Sequence, residues 1–196
     1  MRKLRILAHI SLDGVIQHEN DESFAYGDWT ASYRSPAGLA AVMEAQGSTF
    51  DLLLGRRTYD IWAGYWPKAG NSPIANGLNA ATKYVATHRP DSLGWGPVED
   101  LGADVLAGIR GVKAAGGPDM LVWGSSTLTS MLLAQGLADE VVLLVYPVLL
   151  GRGKRFFSDQ VNPCALAFVS SQATATGVLI NTYRPVGPLT LPPAGY

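Results

Sequence analysis

The sequence is poor in the features that would commit it to a membrane, an export route, a disulfide framework or a metal centre. Among its 196 residues there is a single cysteine, Cys164, which has no partner for an internal disulfide and no cysteine neighbour with which to build a zinc site; a reducing cytoplasm is the expected setting. The longest apolar runs, such as Val141 to Val145, are far too short to cross a bilayer. Met1-Arg2-Lys3 leads straight into a strand-like pattern, without the apolar stretch and small-residue cleavage site of an export signal. Charge of one sign is also lacking: the formal net charge of -1 is a balance of scattered groups, with neither a basic stripe for nucleic acid nor an acidic tail. His9, His18 and His88 share no metal-ligand spacing, and H-E-x-x-H is absent. Ser125 follows a strand, but G-x-S-x-G is missing and no histidine comes after it, which argues against a serine hydrolase. A strand-borne G-x-G-x-x-G is missing as well, since Gly94-Trp95-Gly96 and Gly151-Arg152-Gly153 both lack the third glycine.

What is present fits one domain large enough to bury a sizeable core. Leu4 to Ile10 reads as a strand, followed by turn residues at Ser11-Leu12-Asp13-Gly14 and a loop from Gln17 to Tyr33. Ser35-Pro36 opens a helix that Gly47 closes. Asp51 to Leu54 is a continuous apolar strand stopped by Gly55, with a helix expected from Thr58 until Trp66-Pro67 and a polar loop to about Asn79. A short strand is expected from Lys83 to Thr87 and a helix from Leu101 to Ala115. Met120 to Trp123 is another apolar strand ending in glycine, with Thr127 to Leu133 as its helix. Glu140 to Leu150, Leu166 to Ser171 and Thr176 to Arg184 read as strands joined by turns, so the last third is expected to be antiparallel. Alternating strands and helices with a hairpin-rich end imply an α/β fold, a mixed sheet covered by helices on both faces. The main domain is expected over residues 1–185, with an irregular Pro- and Gly-rich tail from 186 to 196.

Two junctions carry the chemistry. Gly55 and Gly124 each follow an apolar strand and each precedes a helix start. A helix N-terminus offers unpaired N–H groups and the positive end of a dipole, and a glycine lets a phosphate approach the backbone. At the first junction Arg56 and Arg57 add forked donors and Thr58 a hydroxyl; at the second, Ser125, Ser126 and Thr127 are neutral. This division suits a dinucleotide, with the diphosphate near the small residues and an extra 2′-phosphate near the arginines. Thr87 and Arg89, at the end of the Lys83 to Thr87 strand, can close on the same phosphate, which favours NADPH over NADH. Taken singly, each junction is better read as an ordinary capped turn; two in one chain, in the order of an open sheet that binds ligand at its strand ends, point to function.

AHISLDGVI (Ala8 to Ile16), LLLGRRTYDIW (Leu52 to Trp62), ATHRP (Ala86 to Pro90), LVWGSSTLTSMLL (Leu121 to Leu133) and DEVVLLVYPVLLGRGKRFF (Asp139 to Phe157) come in the order of the dihydrofolate reductase superfamily. They resemble most its branch that includes the C-terminal reductase domain of the bifunctional riboflavin-biosynthesis deaminase/reductase. The resemblance implies a dihydrofolate reductase-like three-layer sandwich, with a mostly parallel sheet of about eight strands and an antiparallel C-terminal hairpin. It also implies NADPH as hydride donor, a small heterocyclic substrate and a homodimer. It places Gly55, Arg56, Arg57 and Thr58 at the phosphate-binding turn and Thr87 and Arg89 at the adenosine-phosphate strand end. Gly124, Ser125, Ser126 and Thr127 fall on the diphosphate loop, and Ala8, His9 and Ile16 where the nicotinamide packs. The implied activity is like that of 5-amino-6-(5-phosphoribosylamino)uracil reductase.

One departure bears on substrate. Dihydrofolate reductases carry an acid on the first helix, and aligning Pro36 to Val42 on their pattern puts Gly38 there. Pterin reduction is therefore the lesser alternative, and an NADPH-binding protein without turnover is a third. SLDG resembles the riboflavin branch, in which Asp13 borders the substrate and is the candidate to donate or relay a proton; an ordinary turn aspartate is an equal reading. Trp29, Tyr33 and Trp66 are candidates to stack on a flat ring, against the commoner role of aromatics as core. Gly151-Arg152-Gly153-Lys154 reads first as a solvated hairpin turn and second as a substrate-phosphate loop.

Overall fold

The computed structural model describes residues 1–157 and 162–191. The chain runs through β1 (Leu4–Ser11), α1 (Pro36–Gln46), β2 (Phe50–Gly55), α2 (Arg56–Tyr65), α3 (Pro73–Ala80), β3 (Lys83–Ala86), β4 (Val98–Asp100), α4 (Val105–Ala114), β5 (Asp119–Trp123), α5 (Ser126–Ala134), β6 (Glu140–Tyr146), β7 (Cys164–Ala173) and β8 (Leu179–Pro188). The strands form one sheet in the order β4-β3-β2-β5-β1-β6-β8-β7. Pairing is parallel from β4 to β6, and β8 joins β6 antiparallel and carries β7 as the outer strand of a hairpin. This is the dihydrofolate reductase-like three-layer sandwich.

Side chains alternate across a strand, so each strand feeds both faces of the sheet. Leu4, Ile6, Ala8 and Ile10 of β1 pack toward α4 and α5, with Leu53, Met120 and Val122 in the same layer. Leu7, Leu52, Leu54, Leu121 and Trp123 pack on the other face, toward α1, α2 and α3. Neighbouring strands β2 and β5 thus send their following helices, α2 and α5, to opposite faces, which opens a crevice beyond their C-terminal ends.

Several boundaries differ from the sequence reading. The stretch expected to be a polar loop holds α3, started by the same Ser-Pro device that starts α1. Val98–Asp100 is an edge strand, and α4 begins only at Val105, after a turn at Gly102 (φ 77°) and the Asp104 cap. Helix α2 starts at Arg56, two residues before the expected Thr58, so both arginines sit in its first turn. β6 ends at Tyr146 and β8 spans Leu179–Pro188, so the first part of the expected tail, residues 186–188, lies in a strand. Residues 192–196 of that tail lie outside the described residues.

Candidate functional site

Three helices have a side chain closing their first turn. Gly38 N–H donates to Ser35 Oγ at 3.0 Å, Ala75 N–H to Ser72 Oγ at 3.3 Å and Ala107 N–H to Asp104 Oδ1 at 3.0 Å. α2 and α5 have no such cap. Both begin on a single large cleft of about 1480 Å³, lined by Gly55, Arg56, Arg57 and Thr58 on one side and Gly124, Ser125, Ser126 and Thr127 on the other. First-turn amides without an intrahelical partner need an acceptor from outside the helix, and here none comes from a capping side chain.

The two junctions touch. A Cβ on Gly55 would lie 2.8 Å from Ser125 Oγ and 3.8 Å from its Cβ, so it would force that hydroxyl to turn, whereas a Cβ on Gly124 would have open space around it. Gly124 (φ 62°) and Ser125 (φ 59°) are both left-handed, and the buried Thr129 hydroxyl donates to Gly124 O at 2.9 Å, fixing the bend from below. Only one other non-glycine residue among those described has positive φ, Asp28 (57°), and it too lines the cleft. Strain of this kind, about 1–3 kcal/mol per residue, persists where surrounding structure holds it and gathers at binding sites.

The first junction is electrostatically crowded. Arg56 Nε donates to both Asp60 oxygens (2.8 and 3.0 Å), while its Nη1 donates to Thr87 Oγ1 (3.3 Å), Arg89 O (2.9 Å) and Ser92 Oγ (2.7 Å). Arg56 therefore fastens the start of α2 to the chain leaving β3. Arg57 faces Glu19 at 3.9 Å and Arg89 faces Asp60 at 3.6 Å, with both guanidinium groups largely in solvent.

The other end of the cleft is aromatic. His9 Nδ1 is 2.7 Å from Tyr146 Oη, and the His9 ring stacks on Trp123 (5.4 Å between centroids) with its edge toward His18, which stacks on Trp29 (5.0 Å). Tyr146 also packs edge-on to Trp29 and Tyr33. Burial, then the proximity of His18 and Arg34, pushes the His9 imidazole down to about 3. Burial also lowers His18, and it raises the Tyr146 hydroxyl to about 12. At neutral pH the His9 ring is uncharged and Tyr146 keeps its proton. Among the described residues three buried polar atoms have no hydrogen-bond partner and all three line the cleft: His18 Nε2 and Trp123 Nε1 at this end, and Gln46 Oε1 near Gly77.

His9, Ile16 and both junction segments line the cleft as the sequence reading expected, as do Tyr33 and Trp66. Ala8 does not: as an even residue of β1 it faces α4 and α5, with 1% exposure. Thr87 and Arg89 lie behind Arg56 and are outside the lining. Asp13 is also outside it. The Asp13 carboxylate accepts from Ser11 Oγ (2.6 Å), Leu150 N–H (3.1 Å) and Gly151 N–H (2.7 Å), tying the turn after β1 to the loop after β6. Partial burial works to raise its pKa, but the hydrogen bonds from Ser11, Leu150 and Gly151 outweigh this and hold it below the usual aspartate value. In this geometry Asp13 braces the two loops together. Gly38 lines the cleft and offers no side chain, and Lys154 joins the lining from the Gly151 to Lys154 turn. The sequence reading passed over Trp123, Tyr146, His18, Gln46 and Asp28. Trp123 and Tyr146 end strands β5 and β6, and that strand-end position was the one available signal. Among the described residues no group of three or more His, Cys, Asp or Glu side chains could hold a metal, and no helix is long and apolar enough to cross a membrane.

The family model for the RibD C-terminal domain matches residues 2–180. The chain belongs to the RibD C-terminal domain family. It is 24% identical over 194 residues to YyaP of Bacillus subtilis (strain 168), covering 93% of this chain and 95% of that one. A crystal structure from Shewanella sp. PV-4, of a protein assigned to riboflavin biosynthesis, superimposes with a TM-score of 0.69 at 21% identity, covering 93% of this chain and 98% of the other. The dihydrofolate reductase of Enterococcus faecalis, complexed with NADP(H) and RAB-propyl, gives a TM-score of 0.60 at 17% identity, covering 94% and 96%. These structural likenesses carry the fold.

Proposed function

We propose that the protein is an NADPH-dependent reductase of a small heterocyclic compound. The observation that carries this reading is the pair of uncapped helix starts, α2 and α5, which meet at Gly55 and Ser125 on the same cleft. Membership of the RibD C-terminal domain family supports an oxidoreductase, and the NADP(H) complex of the enterococcal reductase supports a nicotinamide cofactor. The cleft exceeds the roughly 300–1,000 Å³ of a pocket for one small ligand, which fits a cofactor and a substrate side by side.

In this reading the amides and hydroxyls of Ser125, Ser126 and Thr127, with Gly55, Thr58 and Gly124, hold the diphosphate. Arg56, Arg57 and Arg89, with Thr87, surround the 2′-phosphate. His9 and Ile16 border the nicotinamide, which supplies a hydride when bound. The chain's own part is to orient the ring, exclude water and deliver a proton. We assign the proton to Tyr146, whose hydroxyl stays protonated in the neutral range and is shared with His9 Nδ1. A cytoplasmic homodimer completes the proposal. The test is a panel of pterins and pyrimidinones scored by loss of nicotinamide absorbance, with turnover of at least one compound expected. An unchanged signal throughout, with NADPH bound, would leave a binding protein without catalysis.

A further inference from the structure

The aromatic arm of the cleft is built differently from the arginine-bearing one. At its rim Arg34 pairs with Asp28, and both side chains are mostly exposed (64% and 59%). Deeper in, the walls are the rings of His9, His18, Trp123 and Tyr146, with Trp29 stacked behind His18, and the polar atoms left without partners belong to neutral groups. Resting on the reductase reading above, we propose that this arm takes an uncharged, planar heterocycle and discriminates against a phosphorylated one. The indole N–H of Trp123 donates to a ring acceptor, and His18 Nε2 supplies a second polar contact.

The chemistry favours this occupant for three reasons. Stacked and edge-on rings offer flat faces at the spacing aromatic pairs adopt, and a planar heterocycle continues that stack. Trp123 is 8% exposed, so its unpaired indole N–H is a buried group, as is His18 Nε2, and the desolvation of both is repaid by hydrogen bonds to an occupant of the arm. A phosphate entering this arm would approach Arg34 but would meet the Asp28 carboxylate beside it, and the imidazoles of His9 and His18, both held neutral by burial, add no positive charge. Lys154 also lines the cleft, but it is exposed and is attached to the Gln17 side through its backbone N–H, 3.1 Å from Gln17 Oε1.

The experiment measures calorimetric binding to the full chain saturated with NADP⁺. The probes are unphosphorylated 5-amino-6-(ribosylamino)uracil, its 5′-phosphate, and neutral pterin and lumazine. At least one neutral compound is expected to bind, with the 5′-phosphate weaker than its parent by about tenfold or more. Trp123→Phe, which keeps the ring and loses the N–H, is expected to weaken the best neutral ligand by about tenfold, and His18→Phe, which keeps an aromatic ring and loses Nε2, provides a second variant should the first fold poorly. Equal or tighter binding of the phosphate, or no binding by any neutral compound, would overturn the proposal. Unaltered affinity in both variants would overturn it too. Cofactor titration in the same instrument separates the two readings: loss of NADPH binding sinks the reductase reading, whereas cofactor binding with the wrong heterocycle preference sinks this one alone.

Discussion

Replacing Arg56 by alanine is expected to separate the two pyridine cofactors. Arg56 has two parts to play, and their sizes can be worked out from its contacts. Its Asp60 pair is an i,i+4 contact with a half-exposed carboxylate, worth roughly 0.3–0.5 kcal/mol. Its bonds to Thr87, Arg89 O and Ser92 are partly exposed and add roughly 0.5–1.5 kcal/mol each at most, not additively. The variant is therefore expected to lose about 1–3 kcal/mol of stability, visible as a lower Tm. Losing a charged hydrogen bond to the 2′-phosphate removes about 1.5–3 kcal/mol from NADPH binding, or roughly ten- to a hundredfold in Kd. NADH lacks that phosphate and is expected to lose only what the loosened turn costs. Arg89→Ala isolates the charge, because the Arg89 side chain is 68% exposed and its only ion pair among the described residues is 3.6 Å long. This second variant is expected to shift the NADPH-to-NADH preference with stability changed by less than about 0.5 kcal/mol. Calorimetric titration of both cofactors against both variants decides the matter. Equal losses for NADPH and NADH in each would refute the assignment of the arginines.

Three further outcomes are expected. Gly55→Ala puts a Cβ 2.8 Å from Ser125 Oγ and turns that hydroxyl away from the diphosphate, so cofactor affinity should fall; an unaffected variant would contradict the close approach of the two loops. Tyr146→Phe is expected to lower kcat by about a hundredfold with NADPH binding unchanged, whereas Asp13→Asn, at a brace, should retain most of its turnover per folded molecule; the reverse ranking would return the proton to Asp13. Because the folded His9 pKa of about 3 lies below the ordinary 6.5, the unfolded chain binds a proton across that window that the folded chain does not. Stability should therefore fall as pH drops from 6.5 toward 3, by up to a few kcal/mol from this group, and His9→Gln should flatten the fall in urea titrations. Parallel wild-type and variant curves would show that His9 is not buried neutral.

The junctions were legible because each is written locally: an uninterrupted apolar strand, a glycine, then helix-starting residues over Leu52–Thr58 and Leu121–Thr127. The cap Ser35-Pro36 was legible for the same reason. Ser72-Pro73 uses the same device, but Asn76, Gly77 and Asn79 depress helix propensity, and the segment read as loop until tertiary packing of Ala75 and Leu78 decided it. β4 is only three residues long and mostly exposed, which leaves too little pattern to see. What the sequence hid was non-local. Arg56 meets Thr87 and Ser92 from 31 and 36 positions away, and Asp13 meets Leu150 and Gly151 across 137 and 138. Such distances give Arg56 a framework part and Asp13 a bracing part that no local pattern shows. The aromatic arm needed the ends of β1, β5 and β6 brought side by side, which no single segment encodes.

The central claim is that two uncapped helix starts, meeting at Gly55 and Ser125, hold one dinucleotide. Its most direct test is calorimetric titration of the purified protein with NADPH at low ionic strength. Saturable binding of one NADPH per chain, tighter than NADH and weakened by added salt, is the predicted result. Failure of either reduced cofactor to bind would contradict it.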